Sequence, residues 1–256
     1  MTAVQTDTPS RASILIDGRA FRAVLFDMDG VVTDTARLHL SAWRRLFQDL
    51  TEHGNVGNVE LGDDDYRRYI DGKDRERGLM SYLDSRHAVV PPGTPDDAPN
   101  AMTIRNLLRR KNTYFLDELD RSGVEVITPT VRWIQQLRSM GVRTAVVSAS
   151  KNARFVLDRA GLTDYFDTRV DGIDTEKLGL RGKPDPDTYV EAARRLSVSP
   201  SDCVVVEDAT AGIRAARSGG FGLCVGLGPA ENFAALTESG ADVAVSDVSQ
   251  IDYLEP

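Results

Sequence analysis

The chain has 256 residues, enough for one large domain or two modest ones around a sizeable core. Its 31 Lys and Arg are outnumbered by 39 Asp and Glu, and the net charge of −8 leaves no basic excess for gripping a nucleic-acid backbone. Apolar residues at 41% and charged residues at 27% fit a packed globular chain. The longest apolar runs are four residues, too short for a membrane span or a signal-peptide core. Two cysteines, Cys203 and Cys224, lack any metal-type spacing. They read as free thiols of a reducing cytosol and exclude a disulfide scaffold.

Met1 to about Arg11 is polar and patternless and reads as a flexible tail. A first strand is expected in the apolar run Phe21 to Phe26, which ends in Asp27. Similar runs, Arg143 to Val147 and Cys203 to Val206, end in Ser148 and in Glu207-Asp208. Weaker strands are expected at Thr168 to Val170, Gly222 to Val225 and Val243 to Val245. Helical patterns lie between them. In 130–140, Val131, Ile134 and Leu137 share one face and Gly141 follows as a stop. A helix over 185–197 is expected to open with Asp185 as N-cap and Pro186 at its first position. Apolar strands alternating with helices imply an α/β fold, with a parallel sheet covered on both faces.

Residues 36–119 break this rhythm and read as helices without strong strands. Four of the eleven prolines fall between 91 and 99, which marks a surface loop. The expected organisation is therefore a core from 1–35 and 120–256, with an all-helical domain, 36–119, inserted after the first strand. Such an insertion covers the carboxyl edge of the sheet, where open α/β folds place their ligands. Asp63-Asp64-Asp65 reads as a helix N-terminus rather than a metal site, and Arg109 and Arg110 as a solvated helix surface.

The strongest chemical signal is Asp27-Met28-Asp29-Gly30, directly after the first strand. Two carboxylates at i and i+2 face one cleft if the backbone turns, and Gly30 permits the turn. Packed anions repel, so the pair favours a cation, and Mg²⁺ suits a site of a few carboxylates, water and phosphate oxygens. An Asp-rich turn is the plainer alternative. Three further elements stand at strand ends or in the loops after them. Ser148-Ala149-Ser150-Lys151-Asn152 offers hydroxyls and backbone N–H groups to an oxyanion. Lys183-Pro184-Asp185 supplies a cation for a transferring phosphoryl group, and Glu207-Asp208 adds carboxylates.

Taken together, these four elements resemble the motifs of the haloacid dehalogenase superfamily of phosphoryl-transfer enzymes, from about Phe21 onward. The resemblance implies a Rossmann-like core with a helical cap, Asp27 as nucleophile and Asp29 as general acid/base. It also implies Mg²⁺ held by the Asp27 carboxylate, the Asp29 backbone carbonyl and Asp208, with Glu207 in the same site. The stretch from Asp27 through Thr35, His39 and Trp43 further resembles the β-phosphoglucomutase family. On a helix starting near Thr35, Ala36, His39, Trp43, Leu46 and Leu50 form one stripe, which by itself also suits a core histidine beside a core tryptophan. The resemblance makes His39 the link between cap closure and the acid/base aspartate, and Trp43 a neighbour of the sugar.

Asp71-Gly72-Lys73-Asp74-Arg75 resembles the specificity loop of that family, with Gly72 and Arg75 at substrate-binding positions and Arg75 gripping the phosphate that is not transferred. Lys73 and Asp74 depart from the family pattern, which otherwise has a small apolar residue and a serine there. Lys111 falls on the apolar face of a helix around 104–119, where a lysine either snorkels to water or points into a cleft. Its match in the family points into the cleft, and Ser148, Ala149, Ser150 and Asn152 match phosphate or sugar contacts. The expected activity is interconversion of β-glucose 1-phosphate and glucose 6-phosphate through a bisphosphate, with a sugar-phosphate phosphatase as the alternative. The expected partners are a sugar phosphate and Mg²⁺, with no nucleic acid or membrane. Nothing in the sequence demands more than a cytosolic monomer.

Overall fold

The computed structural model describes residues 14–17, 20–54 and 56–254. The patternless stretch up to Arg11 lies outside them. The first described strand, β1 (Ile14–Asp17), runs parallel to the last, β8 (Ile251–Leu254), in a two-stranded sheet of its own. The main sheet holds β2 (Ala23–Asp27), β3 (Arg143–Val147), β4 (Thr168–Val170), β5 (Cys203–Glu207), β6 (Leu223–Leu227) and β7 (Val243–Val245). All six are parallel, in the spatial order β4-β3-β2-β5-β6-β7. Strand β2 lies between β3 and β5, so the chain moves outward from it in both directions. Its carboxyl end is the switch point of the sheet, where an open α/β fold leaves a crevice.

Ten α-helices can be placed among the described residues. The insertion carries α1 (Ala36–His53), α2 (Asp63–Asp65), which runs on as a π-helical turn over Tyr66–Ile70, α3 (Arg75–Ser85) and α4 (Ile104–Ser122). After it come α5 (Thr128–Ser139), α6 (Ala153–Ala160), α7 (Gly172–Leu178), α8 (Asp187–Leu196), α9 (Thr210–Ser218) and α10 (Phe233–Glu238). The alternation of side chains along β2 explains the two layers around the sheet. Val24 and Phe26 pack with Trp133, Ile134 and Leu137 of α5, whereas Ala23 and Leu25 pack with Tyr189, Ala192 and Ala193 of α8 on the other face. Phe26 meets Trp133 edge to face at 5.6 Å, a contact worth about 0.5–1.5 kcal/mol beyond area burial.

The insertion has an apolar core of its own, in which Trp43, Leu46 and Phe47 of α1 meet Leu79 and Tyr82 of α3 and Leu107 of α4. Helices α1 and α4 pack on each other, and their ends nearest the sheet, at Leu38, Ala42, Phe115 and Leu119, join the sheet's own core. Where the chain enters and leaves the insertion, its two crossings are tied as an antiparallel pair. Asp34 N donates to Glu125 O at 2.9 Å and Ile127 N to Val32 O at 2.9 Å. The stretch 91–99 is irregular, and Pro91 and Pro92 give their carbonyls to Ile104 N and Arg105 N at 2.8 and 3.1 Å.

One expected helix start moves. Helix α8 begins at Asp187, with Pro186 as its cap at φ −80°, and Asp185 does not cap it. The Asp185 carboxylate instead meets Arg77 at 3.0 Å and Arg181 at 3.3 Å. Two arginines offer it charge as well as hydrogen bonds, which free helix N–H groups cannot match. The triple aspartate forms the first turn of a helix, as expected. Among the described residues no helix is long and apolar enough to cross a membrane.

Candidate active site

The register of the sheet brings the expected residues to one level. Asp27 is the last residue of β2 and pairs with Val147, so Ser148 follows immediately beside it. Phe26 pairs with Val206, so Glu207 stands level with Asp27 on the other side. Lys183, 1% exposed, reaches this row from the loop before α8. Its Nζ donates to Asp27 Oδ1, to Glu207 Oε1 at 2.7 Å and to Val147 O at 3.5 Å, and it lies 4.8 Å from the Tyr189 ring centroid.

Glu207, also expected in the metal site, is engaged here by protein groups. Its Oε1 accepts from Lys183 and from the Tyr189 hydroxyl at 3.2 Å, and its Oε2 accepts from Ala209 N at 2.7 Å. Both oxygens are engaged behind the lysine, so Glu207 holds Lys183 in position. Asp208, one residue on, faces the other way and lines the cleft. An added Cβ on Gly30, which has φ +92°, would stand 1.9 Å from Asp208 Oδ2, so only glycine lets that carboxylate lie against the Asp27–Asp29 turn.

Asp29 is fixed from two sides. Thr35 Oγ1 donates to its Oδ1 at 2.5 Å, and Ser148 Oγ donates to its Oδ2 at 3.2 Å. Thr35 is the residue before α1 but turns its hydroxyl away from the helix, toward Asp29 and Thr33. His39 Nε2 stands 3.5 Å from Asp29 Oδ1 without a hydrogen bond, while Lys111 Nζ donates to His39 Nδ1. That donation leaves the ring proton of a neutral His39 on Nε2, facing Asp29. The imidazole stacks on Phe115 at 4.0 Å, and Lys111, 2% exposed, lies 5.2 Å from the Trp43 ring.

Burial, and then the Lys111 charge, push the His39 pKa down to about 4, so the ring is neutral at pH 7. Against the upward push of burial, contacts from His39, Thr35 and Ser148 hold the Asp29 carboxyl below its ordinary value. The carboxyls of Asp27 and Asp208 move the other way. Burial pushes Asp27 well up against the pull of Lys183, with Glu207 and Asp29 adding to the push. Asp208 is raised by burial, then by Asp71, Glu207 and Asp27.

This anionic surplus is the test of whether a cation fits. Burial and mutual repulsion penalise ionised Asp27 and Asp208, and a divalent cation between them relieves both. No three His, Cys, Asp or Glu side chains among the described residues already converge as a ligand set. Carboxylate oxygens such as those of Asp27 and Asp208 are donors that a hard divalent cation takes.

Residues from both halves of the molecule line a cavity of about 500 Å³ at this switch point. Asp27, Asp29, Ala149, Ser150, Lys183 and Asp208 come from the sheet side, and His39, Trp43, Gly72, Arg75 and Lys111 from the insertion. Ser148 and Asn152 act one step back. Ser148 touches Asp29 as described and accepts from Ser150 N at 3.1 Å, whereas Asn152 Nδ2 donates to Asn112 Oδ1 at 2.9 Å. Arg75 Nη2 donates to the same Asn112 oxygen at 2.7 Å and its Nη1 to Leu108 O at 3.2 Å, so α3, α4 and the Ser148–Asn152 loop meet at one amide. Lys73 is turned aside, donating to Tyr69 O at 2.8 Å and Ser81 Oγ at 3.1 Å, and Asp74 caps α3 by accepting from Arg77 N at 3.0 Å.

Sequence reasoning missed Thr35 and Asp71. The signal for Thr35 was its hydroxyl directly after the Asp-rich motif. Asp71 lines the cleft, and burial, then the Glu207 charge, raise its pKa to about 7.

The depressed His39 pKa has a direct consequence. The unfolded chain takes up this proton near pH 6.5 and the folded chain only near 4, so the stability tied to neutral His39 is lost as pH falls between those values. NMR of the imidazole should show a folded-state midpoint near 4. A midpoint at the ordinary value would break the Lys111–His39–Asp29 arrangement.

Comparison with known proteins agrees with this geometry. A family model described as haloacid dehalogenase-like hydrolase matches residues 21–220. The β-phosphoglucomutase of Mycobacterium tuberculosis is 40% identical over 238 residues, covering 90% of this chain and 91% of that protein. The β-phosphoglucomutase of Bacillus subtilis is 33% identical, with 90% and 91% covered. A crystal structure of β-phosphoglucomutase from Clostridium difficile superposes with a TM-score of 0.71 at 27% identity, over 90% of this chain and 92% of that one. The chain belongs to the haloacid dehalogenase-like hydrolase family and, within it, groups with the β-phosphoglucomutases.

Proposed function

We propose that this protein is a β-phosphoglucomutase, interconverting β-D-glucose 1-phosphate and glucose 6-phosphate. The observation that carries the reading is the placement of Asp27 at the switch point. It touches Lys183 on one side, with Asp29 oriented by two hydroxyls beside it and a cavity closed over by the insertion. The family name points to water as the final acceptor, and the mutase relatives point to a sugar hydroxyl. A cavity of about 500 Å³ walled on its outer side by His39, Trp43, Arg75 and Lys111 favours the sugar.

In this reading Asp27 carries the phosphoryl group. The C6 hydroxyl of glucose 1-phosphate attacks the phosphorus, the bond from phosphorus to the Asp27 oxygen breaks, and Asp29 takes the hydroxyl proton. The resulting glucose 1,6-bisphosphate turns over in the cleft. Asp27 then attacks the C1 phosphate, Asp29 returns its proton to the leaving C1 oxygen, and glucose 6-phosphate departs from a rephosphorylated enzyme. Lys183 and the Ser148–Ser150 loop face the transferring group, while Arg75 binds the distant phosphate as a planar fork. Asp27, Asp208 and the Asp29 backbone carbonyl would hold Mg²⁺, which would supply positive charge to neutralise the phosphoryl oxygens. Residues 36–119 act as the cap that keeps water from the aspartyl-phosphate. A phosphorylated sugar as substrate, together with the free buried thiols Cys203 and Cys224, fits a reducing cytosol.

Phosphorus NMR on purified protein with Mg²⁺, β-glucose 1-phosphate and a trace of glucose 1,6-bisphosphate tests this. A growing glucose 6-phosphate signal without inorganic phosphate is expected, and Asp29→Asn should slow it by roughly 10²–10⁴-fold with the fold intact. Inorganic phosphate as the main product would replace the mutase with a sugar-phosphate phosphatase.

A further inference from the structure

A second, smaller cavity of about 240 Å³ lies behind the cleft, at another place where the insertion meets the core. Its walls hold five cations: Arg67 and Arg68 from the π-helical turn, Lys73, Arg77 from α3, and Arg214 from α9. Five positive side chains around one small space are unexpected in a chain of net charge −8. Two of them are already neutralised, Arg67 by Asp64 at 2.6 Å and Arg77 by Asp185 at 3.0 Å. Among the described residues Arg68, Lys73 and Arg214 form no ion pair. Arg68 lies over the Tyr69 ring, and Lys73 is held by a carbonyl and a hydroxyl.

Asp71 supplies a carboxylate on the cavity wall, and that residue also lines the catalytic cleft. Burial, and next the charge of Arg214, push the Lys73 pKa down, with the Asp74 carboxylate pulling the other way. The space is below the roughly 300–1,000 Å³ of sites for drug-sized ligands, so it suits a phosphate group better than a whole sugar. Arginines in this number match a phosphate's oxygens with forked donors.

We propose that this cavity is a second anion site, which takes a phosphate group between Arg68 and Lys73 of the insertion and Arg214 of the core. An anion there bridges the two halves of the molecule and holds the insertion down on the sheet. Asp71 and Lys73 border both cavities, so the bridge lies one residue from the catalytic wall formed by Gly72. The ligand is either free inorganic phosphate or the phosphate of a sugar ester, because both present the same oxygens.

The test is amide NMR of the full chain, titrated first with inorganic phosphate and then separately with glucose 6-phosphate. Amides over 210–214 and 67–68 should shift together, in addition to those of the catalytic loop over 148–152. Arg214→Gln and Arg68→Gln, both at exposed positions, should each weaken the first set about tenfold and leave the 148–152 response unchanged. A response at 210–214 to phosphate alone identifies the free ion as ligand, and a stronger one to glucose 6-phosphate identifies the ester. The proposal is overturned if these amides stay still at millimolar concentrations of both probes, or shift equally in the folded variants. Neither result bears on whether the enzyme is a mutase, which the product assay decides.

Discussion

The ammonium of Lys183 lies between the carboxylates of Asp27 and Glu207 and below the carbonyl of Val147, so one buried cation ties together the ends of β2, β3 and β5. Burial works against its charge. The adjacent charges of Asp27 and Glu207 outweigh that and hold its pKa well above the usual lysine value. Removing one partner of such a buried cluster leaves the others uncompensated, at a cost of about 3–5 kcal/mol. The rest of the site follows from this arrangement. Glu207 is spent on the lysine, Asp208 alone turns to the cleft, and Gly30 gives Asp208 room beside Asp27.

The contacts between insertion and core differ in kind from those within each half. Each half has its own apolar core, although the stem ends of α1 and α4 join that of the sheet. Around the cleft polar contacts join the two halves, together with one close backbone approach. Arg77 donates to Gly182 O at 2.8 Å, Asn152 reaches Asn112, and an added Cβ on Gly72 would stand 2.8 Å from Ala209 Cβ. Hydrogen bonds of this kind can be exchanged for water at little net cost, unlike the burial of an apolar core. On the mutase reading, this balance suits a cap that must open for a bisphosphate to turn over and close before water reaches the aspartyl-phosphate. The paired crossings at 32–34 and 125–127 supply the point about which it would move.

Much of this was legible in the sequence because the chemistry sits at the ends of apolar runs. Val24-Leu25-Phe26 before Asp27 and Val204-Val205-Val206 before Glu207 read as buried strands of a parallel sheet, whose last residues emerge at one sheet edge. The helix carrying Lys111 was readable for a different reason, the apolar stripe that recurs along it. Other features depended on geometry that sequence adjacency conceals. Glu207 and Asp208 are neighbours, but successive residues at a strand end point to opposite sides, so they divide between lysine and cleft. Thr35 looks like a helix cap, yet its hydroxyl turns back to Asp29. The pairing of β1 with β8 joins short segments from opposite ends of the chain, where no local pattern signals a partner. Asp185 resembled an N-cap until Arg77, more than a hundred residues earlier, came into contact with it.

The central claim is that Asp27 forms the covalent bond to phosphorus, and it is open to direct measurement. Protein mixed with glucose 1,6-bisphosphate and Mg²⁺, quenched in acid and digested, should carry one phosphoryl mass increment on the peptide that contains Asp27. The increment should vanish on treatment with hydroxylamine, as an acyl phosphate does, and be absent from Asp27→Asn. A stable increment on Ser148, or no covalent phosphate in an enzyme that is turning over, would contradict the account.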